Sequence, residues 1–361
     1  MLYINRISRS TAFLCLVILV AVNIQGCSNF GFYAQSIAGG LEVLTHREPI
    51  TDVLENPDVS QDVKDKLKFV LQARTFASKQ LSLPDNDSYR TYVDLKRPYA
   101  VWNVFAAPEF SMQMKEWCFL FAGCVKYRGY FDEKDADNFA SELKKQGLDV
   151  FVAGIDAYST LGWFDDPMLN TVIKRDKTQL AELIFHELAH QEVYVKGDTV
   201  FNEGFAVAVA NEGIKRWLTQ QGSPEQTTQY HERKQREQQF IELVTQTRGR
   251  LEDLYQSHKD DSQLREEKAN IIQDMQFQYQ QLKTRWNGYA GYDNWFSMPI
   301  NNAQIAAIVT YQDYVPAFEN LLVQQHNDLA AFFQAVKKLG ELPIDQRHAE
   351  LRQLGATAPV T

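Results

Sequence analysis

Apolar residues recur at helical spacing over most of the chain. Prolines interrupt this pattern, because a proline has no backbone N–H and disfavours helix at the residue before it. The spacing therefore predicts helices at 30–82, with breaks at Glu48-Pro49 and Asn56-Pro57, at 301–314, at 316–338 with a stop at Gly340, and near 344–353.

The residue pattern changes between residues 89 and 164. Aromatic and β-branched residues with intervening turns predict short strands at 92–93, 101–105, 118–127, 148–153 and 158–164. A helix at 132–146, ending at Gly147, separates the third and fourth of these. The predicted fold class is thus α+β, mostly helical, with a small antiparallel or mixed sheet.

Residues 223–290 are charged and rich in glutamine, with apolar residues at heptad-like spacing. Two such runs flank the polar segment 258–262: Phe240, Val244, Leu251 and Leu254, then Leu264, Ile271, Met275, Tyr279, Leu282 and Trp286. This pattern predicts an antiparallel helical hairpin with arms of roughly 40 Å. We interpret it as a solvated structural arm; an arm that binds an unknown protein partner or shields substrate is the alternative.

The N-terminus is typical of a targeting segment. Arg6 and Arg9 precede an apolar run at 12–22, which is too short to span a bilayer comfortably. The run leads to Gly26-Cys27, which resembles the bacterial lipoprotein signal and implies a signal peptide at 1–26 and a lipid on Cys27. By the same resemblance Ser28 favours the outer over the inner membrane, on the periplasmic side of the cell envelope. An uncleaved membrane anchor is the alternative.

Charge and cysteine usage narrow the function further. The formal charge is −9 and no basic block occurs, which argues against nucleic-acid binding. Cys118 and Cys124 remain in the exported domain, where an even pair suggests a disulfide. Two buried thiols are the alternative, and the spacing does not match a zinc knuckle.

The strongest chemical signal is His186-Glu187-Leu188-Ala189-His190. Residues four apart share one helix face, so both imidazoles can reach one ion. Glu187 lies about 100° further round the helix, where it can hold a water as general base. A capping-box pattern at 176–179 opens this helix, which is predicted to run to about Lys196 and stop at Gly197. A pair of ordinary helical histidines is the alternative.

A catalytic zinc needs a third protein ligand, and Glu203 can supply it. The stop at Gly197 and a new start capped by Asp198 or Thr199 would fold a second helix back along the first. Small residues on one stripe of that helix permit close packing: Ala206, Ala210 and Gly213. The sequence therefore predicts one Zn²⁺ per chain; an acid that merely stabilises a helix N-terminus is the alternative for Glu203.

The segment Phe201-Asn202-Glu203-Gly204-Phe205-Ala206 resembles the gluzincin peptidases, in which this glutamate completes the metal site. About two hundred residues are also similar to a family of predicted bacterial zinc aminopeptidases. The matching segments are 117–118, 122–124, 127–131, 158–167, the metal helices through 213, 310–311 and 315–318. The resemblance implies a zincin-like metallopeptidase core.

Further site residues follow from the same resemblance. In zincins, a strand before the metal helix pairs with substrate, which points to Tyr158, Gly162 and Trp163. A tyrosine from a later helix often steadies the oxyanion, which points to Tyr311 and Tyr314. The remaining candidates, which would support the metal ligands, are Asp198 and Asn202. Alternatives stay open: an internal strand, tyrosines that only pack, and a capping role for Asp198.

Together these features predict a zinc-dependent peptidase, with an aminopeptidase favoured. An endopeptidase is the nearest rival, and a lipid-anchored binding or scaffold protein with a structural zinc is the rival from another class. An aminopeptidase must also bind a free α-amine; carboxylates available for this are Glu192, Glu212, Asp165 and Asp166. The predicted catalytic core spans 28–222, the hairpin 223–290, and a C-terminal helical part of the catalytic domain 291–361.

Overall fold

Helices make up most of the described chain, and short strands form small sheets beside them, as the sequence predicts. A computed structural model describes residues 32, 35, 36, 38–119, 123–157, 159, 165–309 and 314–356. Within these residues, no helix combines the length and apolarity needed to cross a bilayer.

The elements follow one another in this order. The helices are α1 (residues 32, 35, 36 and 38–45), α2 (Ile50–Glu55), α3 (Gln61–Gln80), α4 (Glu133–Lys145), α5 (Asn170–Ile173), α6 (Lys177–Glu192), α7 (Thr199–Gln221), α8 (Pro224–Tyr255), α9 (Asp261–Arg285), α10 (Asp293–Ser297), α11 (Asn302–Val309), α12 (Val315–Gln324), α13 (Leu329–Gly340) and α14 (Ile344–Ala356). The strands are β1 (Glu48–Pro49), β2 (Thr91–Val93), β3 (Val101–Pro108), β4 (Trp117–Phe119), β5 (Gly123–Val125), β6 (Arg128–Tyr130), β7 (Leu148–Ile155) and β8 (Met168–Leu169).

The sheet nearest the candidate site has the order β6-β3-β7, with β3 antiparallel to both neighbours. Successive side chains of a strand point to opposite faces. One face, which includes Trp102, Val104 and Tyr130, packs on α4 in a buried cluster. The opposite face, which includes Val101 and Asn103, points towards α6 and α7. The sheet thus separates a small core from the site.

The strand predicted at 118–127 is instead a two-stranded hairpin. β4 pairs with β5 so that Cys118 lies directly opposite Cys124, and a disulfide joins them. The predicted disulfide is confirmed, and the chain reversal between the two cysteines is the reason that a single strand cannot form. The strand predicted at 158–164 lies outside the described residues except for Ser159.

The main core packs α3, α6, α7, α12 and α13 against one another through buried aliphatic and aromatic side chains. Phe205 contacts Phe318, Phe332 and Phe333 in this core. On the other side of α7, the backbone at Gly213 lies against Phe185 of α6, as the stripe of small residues predicts. This close crossing sets the distance between the two helices that carry the candidate metal ligands.

The helical hairpin is confirmed as α8 and α9, each opened by a capping box, Ser223 with Gln226 and Asp260 with Gln263. It is less solvated than expected, because its apolar residues form a buried cluster with Met112, α10 and α11. Ion pairs also join it to the rest of the chain: Arg233 with Glu182 at 2.7 Å and Lys268 with Asp149 at 2.6 Å. The hairpin is therefore an integral part of the fold.

Two helix boundaries differ from the sequence prediction. α6 ends at Glu192, four residues early, because Val193 takes an extended conformation. The helix predicted at 316–338 is two helices, since His326 and Asn327 have φ near +60° and Asp328 then caps α13 by accepting from Ala331 N–H. Left-handed residues of this kind end a helix, and polar residues such as asparagine tolerate them best.

Two glycines provide a test of the α6–α7 crossing. We expect Gly213→Ala to lower the free energy of unfolding by about 1–3 kcal/mol, because the new Cβ would lie 2.6 Å from Phe185 Cδ2 and 2.9 Å from Leu81 Cδ1. Gly249→Ala in α8 is the matched control: its Cβ meets nothing within 4 Å, so the better helix propensity of alanine should add up to about 1 kcal/mol. Urea unfolding measures both; equal stabilisation by the two changes would contradict the crossing.

Candidate metal centre

The two histidines lie on one face of α6, as their spacing predicts. The helix starts at a capping box in which Asp176 accepts from Gln179 N–H and the Gln179 side chain accepts from Asp176 N–H. With the helix fixed from this end, the His186 and His190 rings lie 4.7 Å apart, and their Nε2 atoms are separated by 3.1 Å.

A tight loop brings α7 back across this face. The Asn202 carboxamide bonds to both backbone groups of Val195, accepting from its N–H and donating to its carbonyl, each at 2.8 Å. Gly197 takes a left-handed conformation (φ +82°) that lets the chain turn, and Asp198 caps α7 by accepting from Phe201 N–H. Because Glu203 lies early in α7, its carboxylate then faces α6.

The Glu203 carboxylate completes a cluster of three donors. Its Oε2 is 3.4 Å from His186 Nε2, and its Oε1 is 3.6 Å from His190 Nε2. All three ligand atoms lie within 4.8 Å of one another. Tetrahedral coordination with bonds of about 2.0–2.1 Å would separate such atoms by roughly 3.3 Å. The donor set and its spacing therefore suit a divalent metal ion such as zinc.

The pKa values of the two histidines in the cluster are shifted in opposite directions. Burial, together with the neighbouring His186, lowers the pKa of His190 to about 4. Burial also opposes protonation of His186, but the hydrogen bond with Glu203 and the nearby carboxylates outweigh it and raise the His186 pKa. The same hydrogen bond overcomes burial at Glu203 and lowers its pKa. The shifts at His186 and Glu203 thus favour a protonated imidazole paired with a charged carboxylate.

Glu187 lies beside the cluster and lines the same cavity. Burial raises its pKa, and the charge on Glu203 and Asp166 adds to this, while His186 and a hydrogen bond with Ser159 partly oppose it. Ser159 also donates to Asp166 Oδ2 at 3.0 Å. Burial and the two neighbouring carboxylates thus favour proton uptake by Glu187, which suits a general base.

Two tyrosines that the sequence reasoning missed lie close to the cluster. Burial and the Glu203 charge raise the pKa of both Tyr127 and Tyr194, so both phenols keep their protons. The four-residue spacing from His190 could have indicated Tyr194, although α6 ends at Glu192 and Tyr194 lies in the following loop, with its ring centroid 6.4 Å from that of His190. Tyr127 lies in the family-like segment 127–131 and lines the cavity, next to the pairing of β6 with β3.

The prediction that Asp198 supports a metal ligand is wrong. A supporting role for Asn202 is consistent with its hydrogen bonds to Val195 in the loop between α6 and α7. The Asp198 carboxylate caps α7 and pairs with Arg347 and His348 of α14. This buried pairing uses the oxygens that would otherwise have to reach His190. Among the described residues His190 Nδ1 has no hydrogen-bond partner.

Other predicted site residues fall into two groups. Tyr314 packs its ring against His348 and does not line the cavity beside the cluster. Tyr314 is the residue before α12 and packs close to Gly204 of α7. The rest lie outside the described residues: Tyr158, Gly162, Trp163, Tyr311 and Cys27.

None of the carboxylates considered for binding an α-amine lines this cavity. Glu192 pairs with Lys337 at 2.6 Å, and Glu212 pairs with Arg216 at 2.7 Å. Asp165 is exposed, while Asp166 is buried behind Ser159. Within the described lining, the carboxylates are therefore Glu187 and Glu203 alone.

The cavity beside the cluster has a volume of about 580 Å³. A larger one, of about 760 Å³, lies between α7, α8 and α12 and contains none of the three donors. Chemistry decides between them: the smaller cavity holds converging imidazoles and carboxylates with shifted pKa values, which mark a functional site better than volume does.

Comparison with known proteins identifies a family. Residues 31–351 match the protein family described as "Putative aminopeptidase". The chain belongs to this family. The match includes the strands, the two helices that carry the candidate metal ligands, the hairpin and most of α14. Neither the curated proteins nor the solved structures give a match.

The opposite pKa shifts of His186 and His190 predict how many protons are released when zinc binds. At about pH 6, we expect Zn²⁺ binding to metal-free protein to release about one proton, from His186, because His190 is already neutral. Affinity should weaken as the pH falls below the raised pKa of His186, since the proton and the metal compete for Nε2. Calorimetry in buffers of different ionisation enthalpy counts the protons. Release of two protons would contradict the opposite pKa shifts of the two histidines. His46→Ala, at an exposed site, is the control and should leave the number of released protons unchanged.

Proposed function

We propose that the chain is a zinc-dependent, gluzincin-like peptidase. The observation that carries the proposal is the convergence of His186, His190 and Glu203 at tetrahedral spacing, with Glu187 beside them. Membership of the family described as "Putative aminopeptidase" also supports peptidase activity. An aminopeptidase is favoured by the family description, and peptide is the proposed substrate.

The residues divide the chemistry as follows. His186, His190 and Glu203 would hold one Zn²⁺, which when bound makes water a better nucleophile and polarises the peptide carbonyl. Glu187 takes the proton from water and passes it to the departing amine. Its surroundings favour this exchange, because they raise its pKa towards neutrality. Tyr127 lines the cavity and keeps its phenolic proton, so it is the candidate hydrogen-bond donor to the oxygen that gains charge.

A zinc endopeptidase is the second candidate, and one observation favours it. The described lining offers no carboxylate beyond Glu187 and Glu203, so none is free there to bind an α-amine. A scaffold with a structural zinc is less well supported. Such a site closes its coordination with a fourth protein ligand, and among the described residues the cluster has three.

The proposed location is the periplasmic side of the cell envelope, with a lipid on Cys27 and the outer membrane favoured. The Cys118–Cys124 disulfide supports export, because such bonds persist in oxidising compartments. The lipid would tether the protein to the membrane surface without a spanning helix.

Substitution of Glu187 separates catalysis from metal binding. We expect Glu187→Gln to keep stoichiometric zinc but to lower kcat by roughly 10²–10⁴-fold, because the amide cannot accept the proton. His186→Ala and Glu203→Ala should instead lose zinc, and Glu192→Gln on the same helix should change neither quantity. Metal analysis and peptide hydrolysis are measured on the same preparations. Normal turnover by Glu187→Gln protein would refute the assignment.

Two substrate sets distinguish the peptidase classes. Protein that begins at residue 28 is assayed, with and without chelator, on aminoacyl reporters and on N-terminally blocked, internally quenched peptides. An aminopeptidase should hydrolyse the first set at least about a hundredfold faster, because a blocked amine cannot enter its site. Chelator-sensitive cleavage of the blocked peptides would identify an endopeptidase.

A further inference from the structure

The cavity beside the metal cluster has two chemically different ends. At one end lie the three metal-binding side chains and Glu187. The other end is built from one face of the β6-β3-β7 sheet, where Val101 of β3 lies directly opposite Ile155 of β7. These two side chains form an apolar floor, and the strand alternation that orients them also directs their neighbours into the core on α4.

The disulfide hairpin closes the apolar end. Phe119 of β4 and Val125 of β5 both line the cavity, and the Phe119 ring stacks on Phe32 at 4.9 Å. The Cys118–Cys124 bond joins β4 to β5 beside these residues, so Phe119 and Val125 keep their positions relative to each other. The apolar end is therefore a built pocket that is continuous with the metal-facing end.

Charge is confined to the metal-facing end of this lining. Within the described residues, Glu187, Glu203 and the two histidines are the ionisable groups that line it besides Tyr127. The lining also contains the neutral polar side chains of Ser36, Asn103 and Ser159. A charged side chain entering the apolar end would lose its hydration without gaining an opposite charge, whereas an apolar side chain would gain from leaving water. The pocket thus discriminates by polarity as well as by size.

From this arrangement we infer that the apolar pocket is the specificity subsite of the proposed peptidase and takes a large apolar or aromatic side chain next to the scissile bond. The inference rests on the proposed function, because only the metal cluster defines where the bond is cleaved. Val125 on the hairpin and Ile155 on the floor are the residues that set the preference.

A peptide series tests the subsite. One position next to the scissile bond is varied through Leu, Phe, Ala, Asp and Lys, and kcat/KM is measured with zinc-loaded full-length protein. Leu and Phe should exceed Ala by about tenfold or more and should exceed Asp and Lys by a wider margin. Equal values across the series would overturn the inference.

Charge introduced into the wall should redirect the preference. Val125 is only partly buried, so Val125→Arg can hold its guanidinium at the pocket. We expect this variant to cleave the Asp peptide at least about tenfold better than wild type and the Leu peptide at least about tenfold worse, with its zinc content unchanged. Lys126→Ala is the matched control, since the exposed Lys126 does not line the cavity and should leave the ranking intact.

Two further measurements keep the test decisive if Val125→Arg protein does not fold. Ile155→Ala should shift the preference from Leu towards Phe, because it enlarges the pocket. Calorimetric binding of the same peptides to Glu187→Gln protein measures recognition without turnover. Loaded wild-type protein that binds Leu peptides preferentially but cleaves none would contradict the proposed function alone, and cleavage without any preference would contradict the subsite alone.

Discussion

The site depends on one short reversal of the chain between α6 and α7. The Asn202 carboxamide binds both backbone groups of Val195, which holds the start of α7 against the end of α6. Only this reversal allows a carboxylate at Glu203 to face imidazoles on the preceding helix. The close approach at Gly213 extends the same geometry along both helices. A local hydrogen-bonded clamp and a close helix crossing therefore set the shape of the cluster.

The rest of the fold supplies this cluster with its environment. The sheet shields one side, the disulfide hairpin another, and the buried Asp198–Arg347 pair joins α14 to the start of α7. Such partial burial reduces contact with solvent, and charges then interact more strongly than in bulk water. The opposed pKa shifts of His186 and His190 follow directly, since burial acts on both rings while the Glu203 hydrogen bond acts on one.

Much of the site was predictable because its information is local. A four-residue spacing fixes two imidazoles on a helix face, and the stop at Gly197 with the cap at Asp198 indicates where the chain turns. What sequence reasoning missed depends on distant partners. Asp198 bonds to Arg347 and His348 from the far end of the chain, and Tyr127 arrives through strand pairing. Local patterns carry no information about such contacts, so those assignments failed or were absent.

The position of Phe32 on the cavity wall has a consequence for where the protein would act. It lies five positions after Cys27, and a chain of five residues extends over at most about 18 Å. If a lipid is attached at Cys27, the opening of the cavity would be held close to the bilayer rather than displayed on a long tether. Molecules anchored in, or adsorbed to, the same leaflet would then meet it at a far higher local concentration than molecules diffusing freely.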